Sequence, residues 1–128
     1  MMALLLAVSL PVTVIAGEYD LSQGSITVNA GESGQSVTQE NTGINNPSDP
    51  APVITQSTDT TSNTVTIEVA NNVTANVTLG GVNINAGGAA IQTSGGGNVN
   101  IELDGKNTVQ SGNNHAGVEK NNSGNLTI

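Results

Sequence analysis

Cysteine, phenylalanine, tryptophan and arginine are all missing from this 128-residue chain, and tyrosine occurs once, as Tyr19. Without cysteine there is no disulfide and no thiolate metal site. A compact domain of this size normally fills its core with several aromatics, because each buries a large area. Their absence points to a narrow interior filled by small stacked aliphatics. Cations are nearly missing too: Lys106 and Lys120 stand against ten acidic residues, for a net charge of -8. That balance excludes a nucleic-acid partner, which needs basic patches and stacking aromatics. It also argues against an anionic membrane surface. His115 is the only histidine, so no histidine metal cluster can form.

What is present is repetition. Gly, Asn, Thr and Ser dominate, a composition that can leave a chain disordered. Here the charge is sparse, however, and the aliphatics are regularly placed. Val65-Thr66-Ile67-Glu68-Val69 alternates as a half-buried strand does. Ile67-Glu68, Ile91-Gln92 and Val118-Glu119 form one series, spaced 24 and 27. Val77-Thr78-Leu79, Val99-Asn100-Ile101 and Leu126-Thr127-Ile128 form a second, spaced 22 and 27. Ile84 and Val109 form a third, spaced 25. Three interleaved series with nearly one period predict three short strands per coil of an all-β solenoid, a parallel β-helix. Glycine-rich corners such as Gly80-Gly81, Gly87-Gly88 and Gly95-Gly96-Gly97 separate the faces. The predicted inward positions are Val77, Leu79, Val82, Ile84, Ile91, Val99, Ile101, Leu103, Val109, Val118, Leu126 and Ile128.

Residues 1–16 are apolar and too short to span a bilayer comfortably. Pro11 interrupts them, and Val14 and Ala16 place small residues ahead of Gly17, as in a secretory signal, though a basic start is missing. A buried first strand or capping helix is the competing possibility. Residues 17–128 form the partial β-helix domain, with strands expected at 25–28, 36–39 and 53–56. An irregular loop covers 40–52, punctuated by Pro47, Pro50 and Pro52, and regular coils run over 64–128. The repeat stops at Ile128 in mid-strand, which leaves an uncapped end. Two outcomes are expected: a fragment of a longer protein, or a chain capped by end-to-end self-association.

Several stretches carry a family likeness. They are Tyr19-Asp20-Leu21-Ser22-Gln23-Gly24-Ser25-Ile26-Thr27-Val28, Asn76-Val77-Thr78-Leu79-Gly80-Gly81-Val82-Asn83-Ile84, Leu103-Asp104-Gly105-Lys106-Asn107-Thr108-Val109-Gln110-Ser111-Gly112, and His115-Ala116-Gly117-Val118 continuing to Gly124-Asn125-Leu126-Thr127-Ile128. Over residues 19–28 and 53–128 the chain resembles secreted bacterial carbohydrate-binding-domain-containing proteins with a pectate-lyase-like β-helix. The resemblance implies a right-handed coil and binding of acidic or cellulosic polysaccharide at the cell surface, with calcium in some members. No binding motif of that family matches here residue by residue.

Candidate sites are set by the outward positions. Glu68, Gln92 and Glu119 share one outward ladder in this alignment, with rungs about 4.8 Å apart. Calcium accepts carboxylate and amide oxygens, so Glu68 and Glu119 are one possible metal pair; a solvated polar ladder explains them as well. Glu102 and Asp104 lie two apart on one outward face beside the Gly105 turn, as a calcium site, a glycoside-cleaving pair or plain surface carboxylates. The base of a pectate lyase is ordinarily an arginine, and there is none; Lys106 is expected to pair with the neighbouring carboxylates, and His115 to decorate a corner. Thr78, Asn100 and Thr127 lie on one flat face, flanked by amides including Asn83, Asn85, Asn107 and Gln110. Regularly spaced donors and acceptors suit a repeating polymer, with avidity from many rungs. They equally suit hydrogen-bonded ladders between coils. Thr78, Asn100 and Gln110 are the candidate carbohydrate contacts.

Three functions follow as expectations. The first is a secreted or cell-surface module that binds polysaccharide or cell-wall glycan. The second is a structural or adhesive surface repeat with no small ligand. The third is a polysaccharide lyase-like enzyme. The first is preferred, and the chain is expected not to be an enzyme.

Overall fold

The computed structural model describes residues 16–128. The signal-like segment, apart from Ala16, lies outside them. Thirteen strands follow one another with a single 3-10 turn at Leu21–Gln23. They are β1 (Glu18–Asp20), β2 (Ile26–Gly31), β3 (Gly34–Gln39), β4 (Ile44–Asn46), β5 (Val53–Thr55), β6 (Val65–Val69), β7 (Thr74–Gly80), β8 (Asn83–Asn85), β9 (Ile91–Gly95), β10 (Asn98–Asp104), β11 (Thr108–Gln110), β12 (Val118–Lys120) and β13 (Leu126–Thr127). The described chain is therefore all-β. Its three sheets run β1-β5-β7-β10-β13, β11-β8 and β12-β9-β6-β2-β3-β4.

Most pairings are parallel. They join Val53 to Thr78, Asn98 to Thr74, Ile91 to Val65, Val118 to Ile91 and Asn83 to Thr108, in each case about one repeat apart. The strands form where side chains alternate, and burial follows that alternation: in β6, Val65, Ile67 and Val69 are inside while Glu68 is exposed. Each fully buried Val or Ile contributes about 1.5–3 kcal/mol. The core stacks one apolar side chain on the next, as in Tyr19–Ile54–Leu79.

Two antiparallel pairings depart from this pattern: β3 folds back on β2, and β4 on β3. Residues 40–52 are thus not loop throughout, because Ile44–Asn46 pairs with Val37–Gln39. The excursion lengthens the first repeat, so that Ile26 pairs with Val65, 39 residues on. It also covers one end of the stack. Val37 enters the core, and Gln39 Nε2 donates to the Asp20 carbonyl at 2.7 Å and the Gly24 carbonyl at 3.0 Å. Gln35 acts as a missing strand partner for β7: its Oε1 accepts from the Asn76 N–H at 3.0 Å, and its Nε2 donates to the Asn76 carbonyl at 2.8 Å.

The predicted register is corrected at the first step of two series and holds at the second step of each, with Ile91 beside Val118 and Val99 beside Leu126. Ile67 lies beside Thr93, not Ile91, which lies beside Val65. Val77 lies beside Ile101, not Val99. Both differ by two residues, which keeps every side chain on its own face; alternation therefore could not detect them. The corner decides instead. Gly95 lies beside Val69, so close to its carbonyl that a side chain there would collide. The third series holds, with Ile84 beside Val109. Of the predicted inward residues, Val77, Leu79, Val82, Ile84, Ile91, Val99 and Ile101 are buried, and Val109, Val118 and Leu126 are partly buried. Leu103 and Ile128 are exposed by 54% and 62%. They rim a cavity of about 240 Å³ that Leu79, Ile101, Val109 and Val118 also line.

Asp20 fastens β1 to the segment after β5. Its carboxylate accepts from Ser57 Oγ at 2.5 Å, from the Ser22 N–H at 2.9 Å and from the Ser57 N–H at 3.1 Å. The Ser57 hydroxyl, helped by the two amides, outweighs partial burial and holds the carboxyl down to about 2. The folded value lies below the unfolded one of about 3.9. The stabilisation is therefore complete above pH 4 and disappears as pH falls towards 2. For a group this exposed it amounts to at most about 1 kcal/mol. Urea titrations at pH 6 and pH 2.5 should show that D20N removes this part of the acid sensitivity while leaving the rest.

Candidate functional site

The outer face of β7 and β10 carries a groove of about 280 Å³ lined by Ala51, Asn76, Val77, Thr78, Asn100 and Glu102. Parallel pairing sets Asn100 beside Asn76, and Glu102 beside Thr78. Asn100 Nδ2 donates to Asn76 Oδ1 at 3.1 Å, so the two amides are linked across the strands. Thr127 continues the Asn76–Asn100 row. Thr78 and Asn100 thus share the groove but belong to different rows.

The groove rests on a buried polar support. Gln35, which clamps Asn76, also donates from Nε2 to the Asp49 carbonyl at 3.1 Å. The Asp49 carboxylate accepts from the Ala51 N–H at 3.2 Å, which places the wall. It also accepts from Tyr19 Oη at 2.7 Å and the Gly17 N–H at 2.8 Å. Asn46 Nδ2 completes the set by donating to Tyr19 Oη at 2.8 Å. Burial, and then the bond to Asp49, push the Tyr19 phenol above its ordinary value. Gln35 and Asp49 escaped the sequence analysis. Asp49 stands between Pro47 and Pro50, where an aspartate is the ordinary residue of a turn.

The other candidates are dispersed. Gln110 pairs with Asn85 in the separate β8–β11 sheet, outside the groove. Glu68 lies between Asn29 and Ser94, and accepts from Asn29 Nδ2 at 3.3 Å. Glu119 lies beside Gln92, which lies beside Thr66. The expected ladder therefore holds from Gln92 to Glu119, but Glu68 leaves it, because β6 lies two residues away from its predicted register on β9. Glu119 is engaged locally: its Oε2 is 2.9 Å from His115 Nδ1, and its Oε1 accepts from Asn121 Nδ2 at 3.2 Å. The bond with His115, followed by that with Asn121, holds the Glu119 carboxyl below the usual range. His115 is therefore a partner, not decoration. This is the one close contact between an acidic and a basic side chain among the described residues, and Lys106 forms none with Glu102 or Asp104.

The donor set does not fit a calcium cage. Glu102 is the single carboxylate lining the groove, and Asp104 lies further along β10 beside Gly80. Among the described residues no three Asp, Glu or His side chains come together as metal ligands, whereas calcium takes six to eight oxygens. What the groove offers is hydrogen bonding: two amides, a hydroxyl and a carboxylate over a shallow floor. Among the described residues no helix is long and apolar enough to cross a membrane. Comparison with protein-family models, with curated proteins and with solved structures gives no match.

Proposed function

We propose that this chain is a secreted, right-handed parallel β-helix module that holds a polysaccharide in the groove over Asn76, Thr78, Asn100 and Glu102. The coil is supported by three sheets whose parallel partners recur at about one repeat, with glycine-rich corners between them. The observation that carries the binding role is the groove itself, where the linked amides of Asn76 and Asn100 stand beside Thr78 and Glu102. Amides, hydroxyls and carboxylates match the alternating donors and acceptors of sugar hydroxyls. With no cation lining it, the groove suits a neutral glycan better than a uronate. Catalysis is not part of the proposal, since glycoside cleavage uses two carboxylates across the bond and Glu102 stands alone in the groove.

Affinity electrophoresis through gels containing soluble neutral or acidic polysaccharides tests this. The chain should be retarded by a neutral polymer, with or without calcium. N100A should weaken binding roughly 2- to 10-fold, the range of one or two hydrogen bonds. Equal mobility in every gel would remove the binding role.

A further inference from the structure

We infer that the chain is cut between Ala16 and Gly17, and that Asp49 is the built receptor for the α-ammonium group released on Gly17. Asp49 is 1% exposed. Its carboxylate meets three donors, Tyr19 Oη, the Gly17 N–H and the Ala51 N–H, and none of them is charged while Ala16 is attached. Buried carboxylates are normally paired with a cation. Among the described residues none is supplied: the one close contact between an acidic and a basic side chain is that of Glu119 with His115, and Lys120 donates to the Asn122 carbonyl at 2.6 Å. The Gly17 nitrogen is already 2.8 Å from Asp49 Oδ2. Hydrolysis of the Ala16–Gly17 bond would turn that neutral contact into an ion pair without moving an atom far.

Two further observations place the cut. The backbone is anchored at Gly17, whose carbonyl accepts from the Val53 N–H at 2.9 Å. No larger residue fits there, because a Cβ on Gly17 would lie 2.6 Å from Asp49 Oδ2 and 2.7 Å from Tyr19 Oη. Val14 and Ala16 supply the small residues that a signal-peptidase-type endopeptidase requires. Such an enzyme adds water across the amide: Ala16 leaves with the carboxylate, and Gly17 keeps the amine, which takes up a proton.

The pairing predicts a pH dependence that only the cut chain has. An α-amino group titrates near 7.7–8.0 when free, and Asp49 raises that value in the folded state. The added stability is therefore complete below about pH 7.7 and is lost as pH rises through the raised value. The titratable groups facing this nitrogen are Asp49 and Tyr19; the phenol stays neutral through this window because it is pushed above 10.

The test expresses the full 128-residue chain in an exporting bacterium and determines the product's N-terminus by intact mass and terminal sequencing. Gly17 is the expected first residue; any other terminus overturns the inference. Urea titrations from pH 6 to pH 9.5 then compare the exported chain with uncut chain made without export. The cut chain should lose about tenfold in folding equilibrium constant per unit by which the α-amino value is raised, and the uncut chain should not. N-terminal acetylation of the cut chain should abolish the difference even if D49N fails to fold. The same loss in cut, uncut and acetylated chains would refute the ion pair.

Discussion

G95A is expected to destabilise the fold by roughly 2–6 kcal/mol, the sum of backbone strain and overpacking at about 1–3 kcal/mol each. Gly95 has φ of +97°, where a side chain is strained. A Cβ there would also lie 2.0 Å from the Val69 carbonyl oxygen. That oxygen accepts from the Gly96 and Gly97 N–H groups, so it cannot retreat without breaking the corner. Against a total stability of about 5–15 kcal/mol, this is a large share. Gly87 serves as the control: nothing lies within 4 Å of its built Cβ, and its φ is outside the left-handed region. G87A should change stability by less than about 0.5 kcal/mol. Equal urea midpoints for the two variants would show that Gly95 is not packed against the Val69 carbonyl.

N122D is expected to cost about 1–3 kcal/mol at pH 7, the usual penalty for buried polar groups left without their partner; the Lys120 ammonium, which donates to the Asn122 carbonyl at 2.6 Å, offsets part of the new charge. Asn122 is 3% exposed. Its Nδ2 donates to the carbonyls of Gly97 at 2.9 Å, Gly124 at 3.2 Å and Asn125 at 3.3 Å, while its Oδ1 accepts from Thr93 Oγ1 at 2.8 Å. One amide thus ties the segment between β12 and β13 to the turn between β9 and β10 and satisfies the buried Thr93 hydroxyl. A carboxylate there would face three carbonyl oxygens with no donor to give them. The new carboxyl would titrate above the ordinary 3.9, since its neutral form regains a donor. The variant's stability should therefore recover as pH falls through that raised value and decline as pH rises towards 7. Melting curves at pH 4.5 and pH 7 measure this; a deficit independent of pH would mean that Asn122 is not enclosed.

The strands were legible because their side chains alternate. Val65 to Val69 and Asn98 to Ile101 could be assigned an inside and an outside from residue type alone. The register was legible in part: Ile91 beside Val118, Val99 beside Leu126 and Ile84 beside Val109 follow the spacing, but a two-residue slip preserves every facing, and the corner at Gly95 decides how β6 lies on β9. The antiparallel excursion of β3 and β4 was hidden for a different reason: Ile44 is a lone apolar residue among Asn, Gly and Pro, too little pattern to mark a strand. Leu103 reads as a core residue by its neighbours, yet it lies at the rim of an open cavity. At the site, Thr78, Asn100 and Glu102 were found from outward periodicity, and pairing collects them into one groove. Gln35, Asn76 and Asp49, which hold that groove in place, were invisible as a set because their contacts span 14 to 41 residues.

Chemical-shift mapping of backbone amides during titration with a soluble neutral oligosaccharide tests the binding role most directly. Perturbations centred on Asn76 to Thr78 and Asn100 to Glu102, reduced in N100A and unchanged by chelating calcium, are the expected result. Saturating ligand that leaves these residues unmoved, or moves only β8 and β11 on the other face, would contradict it.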